Sequence, residues 1–186
     1  EKAKVKDQFP HRTSVDFDLT KVFRELYELK GYTPTDQEVE QTASFFRCVS
    51  TKHIKLYDGV IEFLDALKAK GKKIYLLSNA QRSFTVPELK MMGLYDYFDD
   101  IVISSDQCVC KPCFDFYDVL FKRNKLKKIE SVMIGNDFRS DIGGANNFGI
   151  RSLYIHQEIS PPITGELLSD WAIMDGDFRK VKVILR

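Results

Sequence analysis

Apolar residues along this chain follow first one period and then two. From Leu19 onward, Leu19, Val22, Phe23, Leu26 and Tyr27 recur three and four apart, which marks one face of a helix, and Gly31 stops it. Thr35 with Glu38 three residues on is a capping box, opening a second helix through Val39, Ala43, Phe46 and Val49. Asp58 and Gly59 precede a third helix carrying Val60, Ile61, Leu64 and Leu67 on one face, ended by Gly71. Beyond it, short apolar runs and helical stretches take turns. Strands are expected over 73–77, 101–104, 131–135 and 152–155, with helices over 87–92, 114–124 and 141–148 between them. Late strands are expected near 172–174 and 181–185, while residues 1–14 carry charge without periodicity and read as a frayed lead-in. Strand–helix alternation with short turns means a doubly wound, mostly parallel α/β sheet covered on both faces. A helical hairpin precedes it.

Composition narrows the class only a little. At 186 residues, 44% hydrophobic and 30% charged, the chain suits one domain, or a domain with a small addition, and can bury a real core. A net charge of +1 gives no electrostatic case for nucleic acid or an anionic membrane. No apolar run reaches the roughly 20 residues of a membrane span, and the first residues do not form a signal peptide. Cys108, Cys110 and Cys113 cluster without a fourth ligand at zinc spacing, so reduced thiols and a cytoplasmic location are the expectation.

The chemistry sits where apolar runs stop. The run 74–77 ends in Ser78 and Asn79, a hydroxyl and a carboxamide able to donate to anionic oxygens without adding charge. A lysine, Lys111, and Pro112 follow the run 101–104 in a loop that leads into a helix. The run 131–135 ends in Gly135, Asn136 and Asp137, with Asp141 four residues further and Ile142, Gly143, Gly144 and Ala145 after it. Mg²⁺ takes hard oxygen ligands and keeps several waters, so one or two carboxylates at a strand end are enough to hold it. Asp141 also stands where it would cap the helix that follows.

In this order the three stretches resemble motifs II, III and IV of the haloacid dehalogenase (HAD) superfamily, mostly Mg²⁺-dependent phosphohydrolases. The resemblance covers roughly residues 19–186. It implies a Rossmann-like HAD fold with a short helical cap, residues 1–56 forming a lead-in and partial cap and 57–186 the α/β core. It also implies phosphatase chemistry on a small phosphorylated metabolite through an aspartyl-phosphate. Ser78, Asn79 and Lys111 would hold the phosphoryl group, and Asn136, Asp137 and Asp141 the Mg²⁺. Where the family has an Asp after the glycine this chain has Asn136, so either Asn136 or Asp137 takes the metal. The family continues Lys-Pro with Asp-Pro; here Cys113 and Phe114 follow. As a loop residue, Lys111 is expected to add no more than about 0.5 kcal/mol to folding.

Motif I, an apolar strand ending in Asp-x-Asp, is the missing piece. Asp16, Asp18 and Thr20 match it by letter, yet Phe9 to Val15 offers no apolar run for a central strand, and an amphipathic helix begins at once. Helix capping is the favoured role of that trio, with the nucleophile in an upstream segment; Asp16 as nucleophile is the alternative. A catalytically silent HAD-like binding module is the competing function. The substrate and the oligomeric state are not legible.

Overall fold

The computed structural model describes residues 1–184. They fall into two compact units, one of residues 1–55 and 76–110 and one of residues 56–75 and 111–184. Among the described residues, no helix is long and apolar enough to cross a membrane.

In the first unit a helical hairpin stands beside a two-stranded sheet. The hairpin is α2 (Leu19–Glu28) and α3 (Asp36–Ser50). Asp18 caps α2 by accepting from the Thr20 N–H, and Thr35 and Glu38 form the expected capping box on α3. Phe23 packs on Phe46 with ring centroids 5.6 Å apart, and Phe46 on Phe84 of α5 (Arg82–Met91) at 6.3 Å. Strand β1 (Tyr75–Ser78) neighbours β2 (Asp100–Ile103), which runs straight into the short helix α6 (Ser104–Gln107).

Two expectations are corrected in this unit. Residues 1–14 are not a frayed lead-in, since α1 (Lys2–Gln8) forms there. Lys and Ala are good helix formers, Val5 is buried, and Lys4 reaches Glu1 at 2.6 Å. Helix α5 begins five residues ahead of Pro87 instead of at it. The stretch before α5 is held by two serines: the Ala80 N–H donates to Ser104 Oγ at 2.8 Å, and the Arg82 N–H to Ser105 Oγ at 3.1 Å. Helix is therefore anchored before the proline, which costs the N–H that Ser83's carbonyl would otherwise accept.

The second unit holds the parallel sheet β3–β4–β5, made of Val132–Gly135, Arg151–Ile155 and Trp171–Ile173. Its register pairs Val132 with Arg151, Gly135 with Tyr154 and Leu153 with Trp171. Strand β4 lies between its two neighbours and is buried from Ser152 to Ile155, whereas every residue of β3 is half-buried. Helices α7 (Phe114–Asn124) and α8 (Gly144–Phe148) meet through rings: Phe148 lies 4.7 Å from Phe121, 4.8 Å from Phe114 and 5.5 Å from Tyr117. Helix α4 (Val60–Ala69) packs its Phe63 on Phe178. A Cβ on its N-cap Gly59, at φ +83°, would meet Arg179 Cγ at 2.9 Å.

Past β5 the expected strand over 181–185 is a helix, α9 (Val181–Ile184), with Leu185 outside the described residues. Asp177 explains the difference. It accepts from the Arg179 N–H and opens a 3₁₀ turn (Phe178–Lys180) that continues into α9 with Val181 buried. The stretch expected as one helix over 141–148 is instead a π-helical turn (Phe138–Gly143) running into α8.

Candidate active site

Motif IV is built at the carboxyl end of β3. Gly135 ends the strand, and a Cβ there would lie 2.3 Å from Asp141 Oδ2, so only glycine lets that carboxylate fold back over the strand end. Asp141 is buried. Its Oδ2 accepts from the backbone N–H groups of Asn136 and Asp137, each at 3.0 Å, and its Oδ1 lies 2.7 Å from Lys111 Nζ. One carboxylate thereby gathers the motif III lysine and both residues after Gly135. The helix-capping role expected of Asp141 belongs to Asp137, whose Oδ1 accepts from the N–H groups of Arg139 and Ser140.

The expectation that Lys111, as a loop residue, adds little to folding is corrected here. Lys111 is 9% exposed and its partner Asp141 6%. A charge buried to this extent is tolerable only when paired and hydrogen-bonded, which is the arrangement found. Burial pushes the Asp137 carboxyl up. The Ser140 and Arg139 N–H groups, the Ser140 hydroxyl and the Lys111 charge outweigh it and hold that carboxyl below the usual range. Asp137 is thus an anion at neutral pH, beside a cation already shared with Asp141.

Around this centre the loop after β4 closes in. The Asn136 amide donates to Ser160 Oγ at 3.3 Å, and Arg139 donates to Thr164 Oγ1 at 2.9 Å. On the other side Tyr117 is fully buried and gives its hydroxyl to the carbonyls of Ser140 and Asp141, both at 3.0 Å.

The donor chemistry fits a hard divalent cation in part. Asp137 and the Asn136 carbonyl oxygen stand together at a strand end, but Asp141 already serves Lys111 and two amides. Among the described residues no three His, Cys, Asp or Glu side chains gather as a ligand set. A cation held here would keep most of its ligands as water, which is how Mg²⁺ is commonly bound.

The first unit holds the other expected residues. Ser78 ends β1 and Asn79 follows it. Past them a second polar knot forms. Buried Ser104 Oγ donates to Asp16 Oδ2 at 2.5 Å and to the Ala80 carbonyl at 3.2 Å. The Gln81 side chain accepts from the Leu19 N–H at 2.8 Å and donates to the Phe17 carbonyl at 2.9 Å. Of the trio Asp16, Asp18 and Thr20, Asp18 is the helix cap, and Asp16 is tied to the residue after β2.

Lys111, Asn136, Asp137 and Asp141 are therefore brought together, and Ser78 and Asn79 belong to the other unit. Sequence reasoning missed Tyr117, Ser104 and Gln81. The Gly143–Gly144 pair was the available hint for Tyr117, since a Cβ on Gly144 would lie 2.6 Å from its hydroxyl oxygen. None of the four cysteines forms a disulfide.

Residues 8–155 match the family of haloacid dehalogenase-like hydrolases, and the chain belongs to that family. A glyceraldehyde 3-phosphate phosphatase of Methanothermobacter thermautotrophicus is 31% identical over 94 residues, 50% of this chain and 42% of that protein. A ribulose-1,5-bisphosphate 5-phosphatase of Halopiger xanaduensis is 24% identical over 131 residues, 70% of this chain and 55% of that protein. The chain thus spans about half the length of these curated relatives. Among solved structures, the HAD-hydrolase YfnB of Bacillus subtilis, crystallised with magnesium, aligns at TM-score 0.67 and 21% identity, covering 90% of this chain and 71% of that one. The α/β fold expected from the strand–helix alternation, in the HAD-like form that the motif resemblance implies, is the fold found.

Proposed function

We propose that the protein is a phosphohydrolase acting on a small phosphorylated metabolite. One observation carries the reading: buried Lys111 is paired with Asp141, which also draws in the Asn136 and Asp137 backbone at the end of β3. A phosphoryl group carries negative charge on its equatorial oxygens, and catalysis of its transfer is mainly positioning and charge stabilisation. Lys111 supplies a fixed cation for that charge. The named activities of the two curated phosphatases support the reaction class.

Asp137 and the Asn136 carbonyl oxygen would hold Mg²⁺, with Asp141 fixing both through their amides. When bound, Mg²⁺ neutralises charge on the transferred phosphoryl oxygens. Residues 57–186 form the catalytic core in this reading, and 1–56 a lead-in and partial cap. The nucleophile is a carboxylate on an apolar strand upstream. It attacks phosphorus, the bond to the leaving oxygen breaks, and water then cleaves the aspartyl-phosphate to free phosphate. The half-buried apolar residues of β3, at the edge of its sheet, support an additional strand there.

One observation favours Asp16 as an alternative nucleophile: its carboxylate is held by Ser104, just past β2. The test is hydrolysis of an aryl phosphate, with and without Mg²⁺, by protein expressed from its initiating methionine. Turnover lost in a Lys111→Met variant supports the proposal. No turnover in any form favours a silent binding module, and turnover lost in Asp16→Asn as well as in Lys111→Met favours Asp16.

A further inference from the structure

We propose that Tyr117 is a positioning residue for this site: its hydroxyl, shared between the carbonyls of Ser140 and Asp141, sets the π-helical turn that aims the Asp141 carboxylate. The inference rests on the functional reading above. A π-helical turn bonds each N–H to a carbonyl five residues back, and such turns are local departures from α-helix that need outside support. Here the Ile142 N–H donates to the Asp137 carbonyl at 3.2 Å, and the Asp141 N–H to the same oxygen at 2.9 Å. The carbonyls of Ser140 and Asp141 lie further along the turn, that of Asp141 also accepting from the Gly144 N–H. The Tyr117 hydroxyl meets both at 3.0 Å.

The ring reaches that point because nothing stands between. Gly144 has no side chain to block it, and a Cβ there would lie 2.6 Å from the hydroxyl oxygen and 2.8 Å from a ring carbon. Stacking against Phe148 holds the ring from the other side. The hydroxyl stays a donor, because burial, and after it the Asp141 and Asp137 charges, push its ionisation well above the ordinary tyrosine range. Asp141 Oδ2 and Oδ1 can then serve the two amides and Lys111 together. Tyr117 touches none of the reacting groups itself.

The test uses Tyr117→Phe in the full chain, which removes one oxygen and keeps the ring on Phe148. The readouts are the Asn136 and Asp137 amide proton shifts, and Mg²⁺ affinity by calorimetry. Outer partners of metal ligands commonly set about 10–100-fold in affinity. The expected result is upfield movement of both amide signals and at least about tenfold weaker Mg²⁺ binding, with the fold retained. Phe121→Leu, which loosens packing around Phe148 without touching the hydroxyl, should lower Tm and leave both amide shifts in place. Gly144→Ala, which crowds the hydroxyl, should move the same two signals and serves if Tyr117→Phe does not fold. Unmoved amide shifts in Tyr117→Phe, or in Gly144→Ala as its substitute, overturn the proposal. If the parent binds no Mg²⁺, the metal reading fails alone, because the amide shifts still report on Tyr117.

Discussion

Replacing Lys111 by methionine keeps an unbranched chain of similar length and removes only the charge. The structure sets the cost. Lys111 and Asp141 are buried as a pair 2.7 Å apart, so the substitution strands a carboxylate below the surface. Breaking a buried pair from one side typically costs about 3–5 kcal/mol. Asp141 keeps the Asn136 and Asp137 N–H groups on Oδ2, which offset part of the lost compensation and put the value near the lower end, about 3 kcal/mol. For a chain of this length each kcal/mol moves Tm by roughly 2–4 °C, so a fall of about 6–12 °C is expected. Adding Asp141→Asn removes the stranded charge, and the double variant should recover about 1–2 kcal/mol over additivity. Urea and thermal unfolding followed by circular dichroism, in chelator so that no metal contributes, measure both quantities. A Tm within about 2 °C of the parent for Lys111→Met, or strict additivity in the cycle, refutes the buried-pair argument.

The other expectations are briefer. Asp137 has its carboxyl held below the usual range in the folded chain, so its contribution to stability is present above the ordinary Asp value of about 3.9 and is lost as pH falls through its lowered value. Asp137→Asn should therefore flatten the loss of stability on acidification below about pH 4, measured as urea midpoints against pH; an unchanged slope contradicts the assignment. Gly135→Ala would force a Cβ to 2.3 Å from Asp141 Oδ2, and displacing that carboxylate from its partners should cost on the order of 3 kcal/mol or prevent folding, read by thermal melts. Thr35→Ala removes a capping box at α3 and should cost about 1 kcal/mol, seen as faster amide exchange in the first turn of that helix.

What could be read from the sequence was what repeats along it. Capping residues are local, so Asp18, Thr35 and Glu38 announced α2 and α3. The run 114–124 announced α7 to the residue, its end set by Lys125 in the left-handed region. Motif order announced the family, and the carboxyl ends of β1 and β3 carry the residues expected there. What could not be read depends on who stands next to whom. Asp137 and Asp141 are four apart and either could cap the following helix; the choice falls to Asp137 because Lys111 and two amides already occupy Asp141. Burial of Lys111 follows from that same pairing and leaves no trace in a loop sequence. The helix at 181–184 replaced an expected strand because Asp177, outside the apolar run, starts a turn that sets the backbone before the run begins.

The central claim is that Lys111, Asp137 and Asp141 form the charge-handling half of a phosphohydrolase site. Aryl phosphate hydrolysis by protein expressed from its initiating methionine, titrated with Mg²⁺ and then with chelator, tests it most directly. The expected result is turnover that requires the cation and falls by about 10²–10³ in Lys111→Met, the loss that follows from removing a group opposed to developing charge. Turnover that survives both chelation and Lys111→Met would contradict the claim.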